Sequence, residues 1–187
     1  MRRFCWWLSL ACLLLALGGS GVVTVAAPRP LTLPSCAISW SARPLSPAQC
    51  GFLAHLSAAA AETGVPLAAL VAVWQRECSL DPVCPRSVDP YSFGPMQITQ
   101  AAAERHGCPA KWRTLPAATA QCAAQILSHW YWWTDRRWTL AFTGYHRPQD
   151  LVDFGWRPSG YGIEVYHLML RRQVDAKRII QVAMVEK

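Results

Sequence analysis

The chain has 187 residues, of which 52% are hydrophobic, 16% charged and 11% aromatic, and its formal net charge is +7. This length is enough to bury the core of one ordinary domain, and the composition excludes an intrinsically disordered chain. The 14 prolines and 11 glycines are spread along the sequence, which excludes a collagen-like or low-complexity protein.

The N-terminus has the layout of a secretory signal. Arg2 and Arg3 precede an apolar stretch over 4–17, and small residues follow it as far as Ala27. Because the apolar stretch is short for a membrane span, we predict a signal peptide over 1–26, cleaved after Ala26 or Ala27. The alternative is an uncleaved N-terminal anchor. We therefore expect an exported, periplasmic protein, with secretion or retention by the anchor as the other outcomes.

Cleavage would leave 16 basic and 11 acidic residues, a net charge of +5, and six cysteines. These are Cys36, Cys50, Cys78, Cys84, Cys108 and Cys122. An even number of cysteines behind an export signal predicts disulfides and an oxidising compartment, although the sequence alone does not choose among the pairings. No CxxC pair indicates a zinc site, and no basic cluster interleaved with aromatics indicates nucleic-acid binding. The positive charge suits an anionic polymer such as a cell wall, or a membrane surface.

The predicted elements begin with two helices. Residues 27–45 are rich in Pro and Ser and are predicted to form an irregular arm. Ser46-Pro47 predicts a helix start, with Ser as N-cap and Pro as the first helical residue, and Gly64 predicts its end. A second helix is predicted over 66–77, followed by a loop over 78–93 that is rich in turn residues.

The later part of the chain also predicts helices, over 99–106, 116–133, 140–145 and 161–173. In the helix over 116–133, an apolar stripe at helical spacing is predicted to face the core, with Trp132 on the opposite face as a surface residue. The stripe consists of Cys122, Ile126, Trp130 and Trp133. No alternation typical of strands occurs, so the predicted class is all-α with long loops, in a domain over 46–173 and a tail over 174–187.

Glu77 ends the most apolar of these helices. Every residue of Leu67–Trp74 is apolar, so protein should cover all sides of the helix. Leu70, Val73 and Trp74 share the helix face of Glu77. The carboxyl should be partly desolvated, which raises its pKa toward the range that a general acid needs. The alternative is that Glu77 pairs with a nearby arginine and merely ends the helix.

Two later motifs follow Glu77. The sequence Gly-Pro-Met-Gln at 94–97 begins 17 residues after Glu77, and Gly144-Tyr145 lies near the end of a predicted helix. The glycine of the first motif permits close backbone approach, and an amide beside an apolar Met can contact a sugar ring. Taken alone, Met96 also fits a core position, and Tyr145 fits a packed aromatic.

In this order the motifs resemble those of the small lytic transglycosylases, a lysozyme-like family, over about 46–173. The family's Glu-Ser corresponds to Glu77-Cys78, its Gly-Leu-Met-Gln to 94–97, and its Ala-Tyr-Asn to Gly-Tyr-His at 144–146. The Pro-x-x-Asn helix start that the family often carries between its second and third motifs corresponds to Pro-Ala-Ala-Thr at 116–119, and its late helical tyrosine to Tyr166. The chain departs from the family at Cys78, Pro95, Gly144, His146 and the Arg147-Pro148 that follows.

The resemblance implies a lysozyme-like all-α fold and cleavage of peptidoglycan by a single carboxyl. Glu77 would protonate the glycosidic oxygen and then act as a base on the 6-hydroxyl, giving 1,6-anhydro ends without a metal or an organic cofactor. The implied substrate-binding residues are Gly94, Met96, Gln97, Tyr145 and Tyr166.

Glycoside cleavage more often uses two carboxyls, and the candidates for a second one are Asp81 and Asp89. Both precede proline, which favours turn chemistry. A muramidase of the same fold and a non-catalytic wall-binding assembly factor remain alternatives. The expected partners are peptidoglycan strands and a secretion, conjugation or pilus apparatus, with the chain itself a monomer.

One set of disulfide pairings is favoured by proximity. Cys78 stands where the family has a serine that orients the glutamate, and Cys84 lies six residues on, across a turn at Asp81-Pro82. We therefore predict a Cys78–Cys84 bond, with Cys108–Cys122 and Cys36–Cys50 as its companions. The alternative for Cys78 is a free buried thiol.

Overall fold

The structure, a computed structural model, describes residues 45–84 and 90–185, with side chains described up to residue 173. This part of the chain is mostly helical, as the all-α prediction requires. Its helices are α1 (Pro47–Thr63), α2 (Leu67–Cys78), α3 (Gln100–Arg105), α4 (Pro116–Trp133), α5 (Trp138–His146), α6 (Pro148–Asp153) and α7 (Gly160–Val185). Two short strands are present, β1 (Ser92–Phe93) and β2 (Ile98–Thr99).

Helix α1 begins and ends where its local signals predict. The Ser46 hydroxyl accepts a hydrogen bond from the Gln49 amide, and the Gln49 side chain accepts one from the Ser46 amide. These reciprocal bonds satisfy donors that the first turn leaves free. Gly64 ends the helix in the left-handed conformation, at φ 72°, and its N–H donates to the Ala60 carbonyl.

Helix α2 forms the centre of the core. Residues 68–74 are all buried, as the unbroken apolar run predicts. Trp74 is fully buried and meets Phe52 of α1 edge to face, with ring centroids 5.0 Å apart. Its indole N–H donates to the Asp81 carbonyl at 2.9 Å, which fixes the loop that follows Glu77.

Helices α1 and α7 both pack on α2. Helix α1 also packs on α4, α7 also packs on α5, and α4 and α5 pack on each other. Where α7 meets α5, Gly162 is buried against the backbone of Thr139 and the side chain of Thr143. The chain reverses between these helices so that the end of α2, the start of α7 and the end of α5 lie together.

Several sequence predictions need correction. Trp133 was predicted to lie in the core but is 54% exposed, because α4 ends there and the apolar stripe leaves the core after Trp130. Helix α6 was missed, and α7 continues to Val185 through most of the predicted tail. The strands were missed because two residues each are too short to show alternation; Ser92 pairs with Thr99 and Phe93 with Ile98, antiparallel.

Two predicted disulfides are present. Cys78 is bonded to Cys84, with Cα atoms 5.7 Å apart, and Cys108 to Cys122, at 4.9 Å. Cys50 is also disulfide-bonded, while its predicted partner Cys36, the arm and the signal peptide lie outside the described residues. These bonds indicate a protein that folds in an oxidising compartment, periplasmic or extracellular.

Within the described ranges, no helix is long and apolar enough to cross a membrane.

Candidate active site

A cleft of about 490 Å³ opens beside the end of α2. Its walls come from α2, the β1–β2 hairpin, α3, α4 and the junction between α5 and α6. Five polar side chains on these walls are relevant to chemistry: Glu77, Gln97, Tyr145, His146 and Arg147. The structure thus brings together Glu77, Gln97 and Tyr145, three of the residues that the motifs single out.

Glu77 is half-buried at the last turn of α2. Burial raises the pKa of its carboxyl above the ordinary value, while a hydrogen bond from Tyr161 and the charge of Arg76 oppose that rise. Desolvation is the larger effect because it penalises only the charged form. The carboxyl therefore keeps a proton to a higher pH than an exposed glutamate, as a general acid requires.

The Glu77 carboxyl is hydrogen-bonded by a tyrosine that the sequence did not predict. The Tyr161 hydroxyl donates a hydrogen bond to Glu77 Oε1 across the contact between α7 and α2. The Tyr161 ring stacks on the His146 imidazole, with centroids 4.2 Å apart and planes 17° from parallel. Burial, together with the nearby Glu77 carboxylate, raises the pKa of Tyr161 well above its usual value, so its proton stays in place.

Tyr166, the predicted late helical tyrosine, does not line the cleft. It lies on the same helix as Tyr161 but five residues later, which turns its side chain by about 140° around the helix axis. The motif specifies only a tyrosine late in the chain. Tyr161 stands at the start of α7, beside the end of α2, and that packing is not visible in the sequence.

An ion pair does not explain Glu77. The neighbouring arginine, Arg76, instead forms a salt bridge with Glu164 of α7, at 2.9 Å. Arg76 also lies over the Tyr161 ring, 5.6 Å from its centroid. Arg172 of α7 adds hydrogen bonds to the Gln75 side chain, so polar contacts hold α7 against the end of α2.

Replacing Tyr161 with phenylalanine should raise the pKa of Glu77, because the hydrogen bond from Tyr161 stabilises the carboxylate form. If Glu77 acts as an acid, activity is lost as the pH rises through its pKa, so the alkaline limb of the pH–rate profile should move to higher pH. Loss of positioning should also lower the maximal rate, by up to about 100-fold. The matched control is Tyr166→Phe, which should leave the pH–rate profile unchanged. A shift of the alkaline limb in Tyr166→Phe and not in Tyr161→Phe would contradict the role of Tyr161.

Gln97 is held in a fixed orientation at the hairpin turn. Its backbone adopts a left-handed φ of 48°, and its side-chain amide donates to the Gly94 carbonyl at 2.7 Å and to Cys84 Sγ at 3.5 Å. Gly94 itself, at φ 68°, does not line the cleft, and its carbonyl oxygen accepts the first of these two bonds. With its donors engaged there, the Gln97 amide oxygen is the atom available to accept a hydrogen bond from a ligand.

The predicted sugar contact through Met96 is wrong for its side chain, which is fully buried in the core. Its carbonyl oxygen has a different role, because it accepts a hydrogen bond from the Tyr145 hydroxyl at 2.8 Å. Burial and the nearby Glu77 charge raise the pKa of Tyr145 well above its usual value. Tyr145 therefore joins the hairpin to α5 as a neutral donor and presents its ring to the cleft.

The Cys78–Cys84 bond connects the two halves of the site. Cys78 directly follows Glu77, and Cys84 Sγ accepts the hydrogen bond from Gln97. The loop between the cysteines is further held by the Gln49 side chain, which donates to the Leu80 carbonyl at 3.0 Å. The bond thus links the residue that follows Glu77 to the sulfur atom that holds the Gln97 side chain.

Replacing both Cys78 and Cys84 with serine should destabilise the fold by about 2–3 kcal/mol, the loop-closure entropy of so short a loop. Activity should also fall, because Glu77 and Gln97 lose their covalent connection. The control is the variant with serine at both Cys108 and Cys122, which opens a longer loop away from Glu77. This variant should lose about 3 kcal/mol of stability. Denaturant unfolding measures the stability of the two variants, and glycan cleavage measures their activity. An equal loss of activity in the two variants would contradict this account.

Asp81 is the described candidate for a second carboxylate, and it has a structural role. Its Oδ1 accepts a hydrogen bond from the Val83 amide at 2.9 Å, as in an Asx turn. Asp89 lies outside the described residues. Of the carboxylates that the structure describes, Glu77 alone lines the cleft.

Gly144 makes room for a tryptophan. A Cβ atom at this position would lie 2.5 Å from the Trp130 indole. Trp130 and Gly144 both line the cleft, so the absence of a Cβ atom at Gly144 lets the indole form part of the wall. The sequence alone does not predict this fit, because it depends on how α4 meets α5.

The cleft also carries basic residues. Arg105, His106, His146 and Arg147 line it, and burial lowers the pKa of both histidines. The arginines are therefore the fixed positive charges of the wall near neutral pH. No cluster of three or more potential metal ligands occurs within the residues described by the structure.

Comparison with protein-family models, curated proteins and solved structures found no match to this chain. Function is therefore inferred from the chemistry of the cleft and from the order of the motifs.

Proposed function

We propose that the protein is a peptidoglycan lytic transglycosylase that cleaves the β-1,4 bond between N-acetylmuramic acid and N-acetylglucosamine. The observation that carries the proposal is the state of Glu77, a half-buried carboxyl with a raised pKa that no other described carboxylate accompanies in the cleft. The motif resemblance supports the same reaction and the lysozyme-like fold that goes with it.

In the first step, the Glu77 carboxyl donates its proton to the glycosidic oxygen, and the bond from that oxygen to the muramic acid C1 breaks. The 2-acetamido oxygen of the same sugar stabilises the positive charge at C1, so a second protein carboxylate is not required. Tyr161 holds the Glu77 carboxyl in one orientation through its hydrogen bond. The charge left on Glu77 is stabilised by that bond and by Arg76.

In the second step, the Glu77 carboxylate removes the proton of the 6-hydroxyl, and that oxygen bonds to C1. The product is a 1,6-anhydro sugar, Glu77 regains its proton, and no water is consumed. In this proposal the Gln97 amide oxygen and Tyr145, which line the cleft with Glu77, bind the sugar. The arginines of the wall suit a substrate that carries the free carboxylates of its stem peptides.

Mass spectrometry of muropeptides released from purified sacculi tests the reaction. We expect every new glycan end on muramic acid to be a 1,6-anhydro end, 18 Da lighter than a reducing end because water is not added. Products with only reducing ends would favour the muramidase. Release of no product by the folded wild-type chain would favour the non-catalytic wall-binding factor.

We further propose that the enzyme opens the wall locally for a wall-crossing machine such as a secretion, conjugation or pilus apparatus. The resemblance implies such a partner, and the disulfide-bonded domain and the basic net charge suit work at an anionic wall. Deletion of the gene for this protein should impair the export or transfer that the machine carries out, and the Glu77→Gln variant should fail to restore it. Full restoration by that variant would contradict an enzymatic role in the machine.

A further inference from the structure

Two exposed tryptophans lie side by side where α4 ends. Trp133 is 54% exposed and Trp156 is 41% exposed, and their ring centroids are 5.0 Å apart with the planes tilted by 52°. Tryptophan is a residue that folding tends to bury, so two adjacent exposed indoles indicate a binding surface rather than a packing defect.

The pair is continuous with the cleft through ring contacts. Trp130, which lines the cleft, meets Trp133 edge to face with centroids 5.1 Å apart. A second path runs from His106 of the cleft wall to His129, at 4.6 Å, and from His129 to Trp133, which it faces at 6.5 Å with planes 20° from parallel. Trp130 itself is buried, so the exposed His129 is the residue that connects the cleft wall at His106 to Trp133 on the surface, with Trp156 beside Trp133.

The backbone holds Trp156 in its exposed position. Gly155 and Trp156 both adopt left-handed conformations, at φ 60° and 62°, after α6 ends. The backbone N–H of Trp156 donates a hydrogen bond to the Leu151 carbonyl at 2.7 Å, and Leu151 is itself fully buried. A left-handed conformation is unfavourable for a residue as bulky as tryptophan, so the surrounding structure must hold Trp156 in this position.

We infer that Trp133 and Trp156 form an aromatic platform that binds a sugar ring of the glycan strand beyond the cleaved bond. The inference rests on the proposed function and adds a second binding region to it. A pyranose ring has an apolar face of C–H groups, which gains dispersion energy and weak electrostatic attraction on an indole face. Because a glycan strand is a polymer, it extends past the cleft, and the platform lies along the continuation of the cleft.

Trp132 provides a matched comparison on the same helix. It is 59% exposed, but its ring contacts Tyr131 at 6.2 Å and the Arg136 guanidinium at 4.3 Å. From Tyr131 the ring contacts lead to Trp138, at 4.1 Å, and not to the cleft. The sequence alone favoured Trp132 as the surface tryptophan of this helix, whereas the ring contacts favour Trp133 for contact with the glycan.

The test uses the mature chain with Glu77→Gln, so that bound glycan is not cleaved, and measures affinity by titration calorimetry. The probes are a peptidoglycan hexasaccharide and a GlcNAc–MurNAc disaccharide. We expect Trp133→Ala and Trp156→Ala each to weaken hexasaccharide binding by about tenfold, as for loss of one aromatic contact. Disaccharide binding should change little, and Trp132→Ala should leave both affinities unchanged. Trp133→Phe, which keeps a ring, should retain most of the affinity.

Equal affinity for the hexasaccharide in the Glu77→Gln chain with and without Trp133→Ala, with unfolding temperatures unchanged, would overturn the platform. So would an equal loss in Trp132→Ala. If the platform variants instead lost binding to phosphatidylglycerol vesicles and kept glycan affinity, the surface would be a membrane contact and the inference would be wrong. Failure of the proposed reaction is a separate result, because the reaction is measured by the muropeptides that the wild-type chain releases. If that chain released none, a loss of hexasaccharide affinity on Trp133→Ala would still support the platform.

Discussion

Replacing Glu77 with glutamine should lower the rate of glycan cleavage by about 10² to 10⁴-fold, the contribution of a general acid. Glutamine keeps the size of the side chain and can still accept the hydrogen bond from Tyr161, but it has no proton to transfer. The rate of muropeptide release from purified sacculi measures the effect. The control is Glu62→Gln, an exposed carboxylate of α1 that accepts a hydrogen bond from Gln121 at 3.3 Å. Cleavage by Glu77→Gln within a few-fold of wild type would reject the assignment.

The stability of the same variant separates lost chemistry from lost folding. Because burial raises the pKa of Glu77 above its usual 4.5, the folded state binds its proton more tightly than the unfolded chain. Between the two pKa values, wild-type stability therefore falls as the pH rises. Glutamine does not titrate, so the unfolding temperature of Glu77→Gln should exceed that of wild type above this window and lose its advantage below it. Parallel pH dependences would show that the Glu77 carboxyl is not desolvated.

Local signals predicted the helices well because the physics of helix ends is local. Ser46, Pro47 and Gly64 bound α1, and Pro116 begins α4 where the sequence indicates. The environment of Glu77 was also predictable, since an unbroken apolar run before it leaves little room for water. The Cys78–Cys84 bond was predictable because a turn separates two cysteines that are six residues apart.

The side chains around Glu77 were harder to predict because they come from distant helices. Tyr161 reaches the carboxyl only because α7 packs across α2, 84 residues later in the chain. Met96 matches a motif residue by type, yet its side chain lies in the core and only its carbonyl serves the site. Trp133 continues an apolar stripe, but the sequence does not show where the core beneath that stripe ends.

The contact that brings Tyr161 to Glu77 depends on the residue after that tyrosine. A Cβ atom on Gly162 would lie 2.2 Å from the Thr139 carbonyl oxygen and 2.3 Å from the Thr143 hydroxyl. That hydroxyl is already engaged, donating to the Thr139 carbonyl at 2.9 Å and accepting from the Ser159 amide at 3.0 Å. Helices α5 and α7 therefore approach closely enough to exclude even a methyl group.

Gly162→Ala should consequently destabilise the fold by about 3 kcal/mol, at the upper end for overpacking, because the methyl group meets backbone. For a domain of this size the unfolding temperature should fall by roughly 6–12 °C. Cleavage should fall as well, since a movement of α7 that relieves the clash also shifts Tyr161 relative to Glu77. The control is Gly160→Ala two residues earlier in α7, where an added Cβ has nothing within 4 Å. That change should be neutral or stabilising, by about 0.5–1 kcal/mol, because alanine favours the helix. Thermal unfolding and cleavage measured on both variants decide the matter, and equal unfolding temperatures would show that α5 and α7 are not in close contact at Gly162.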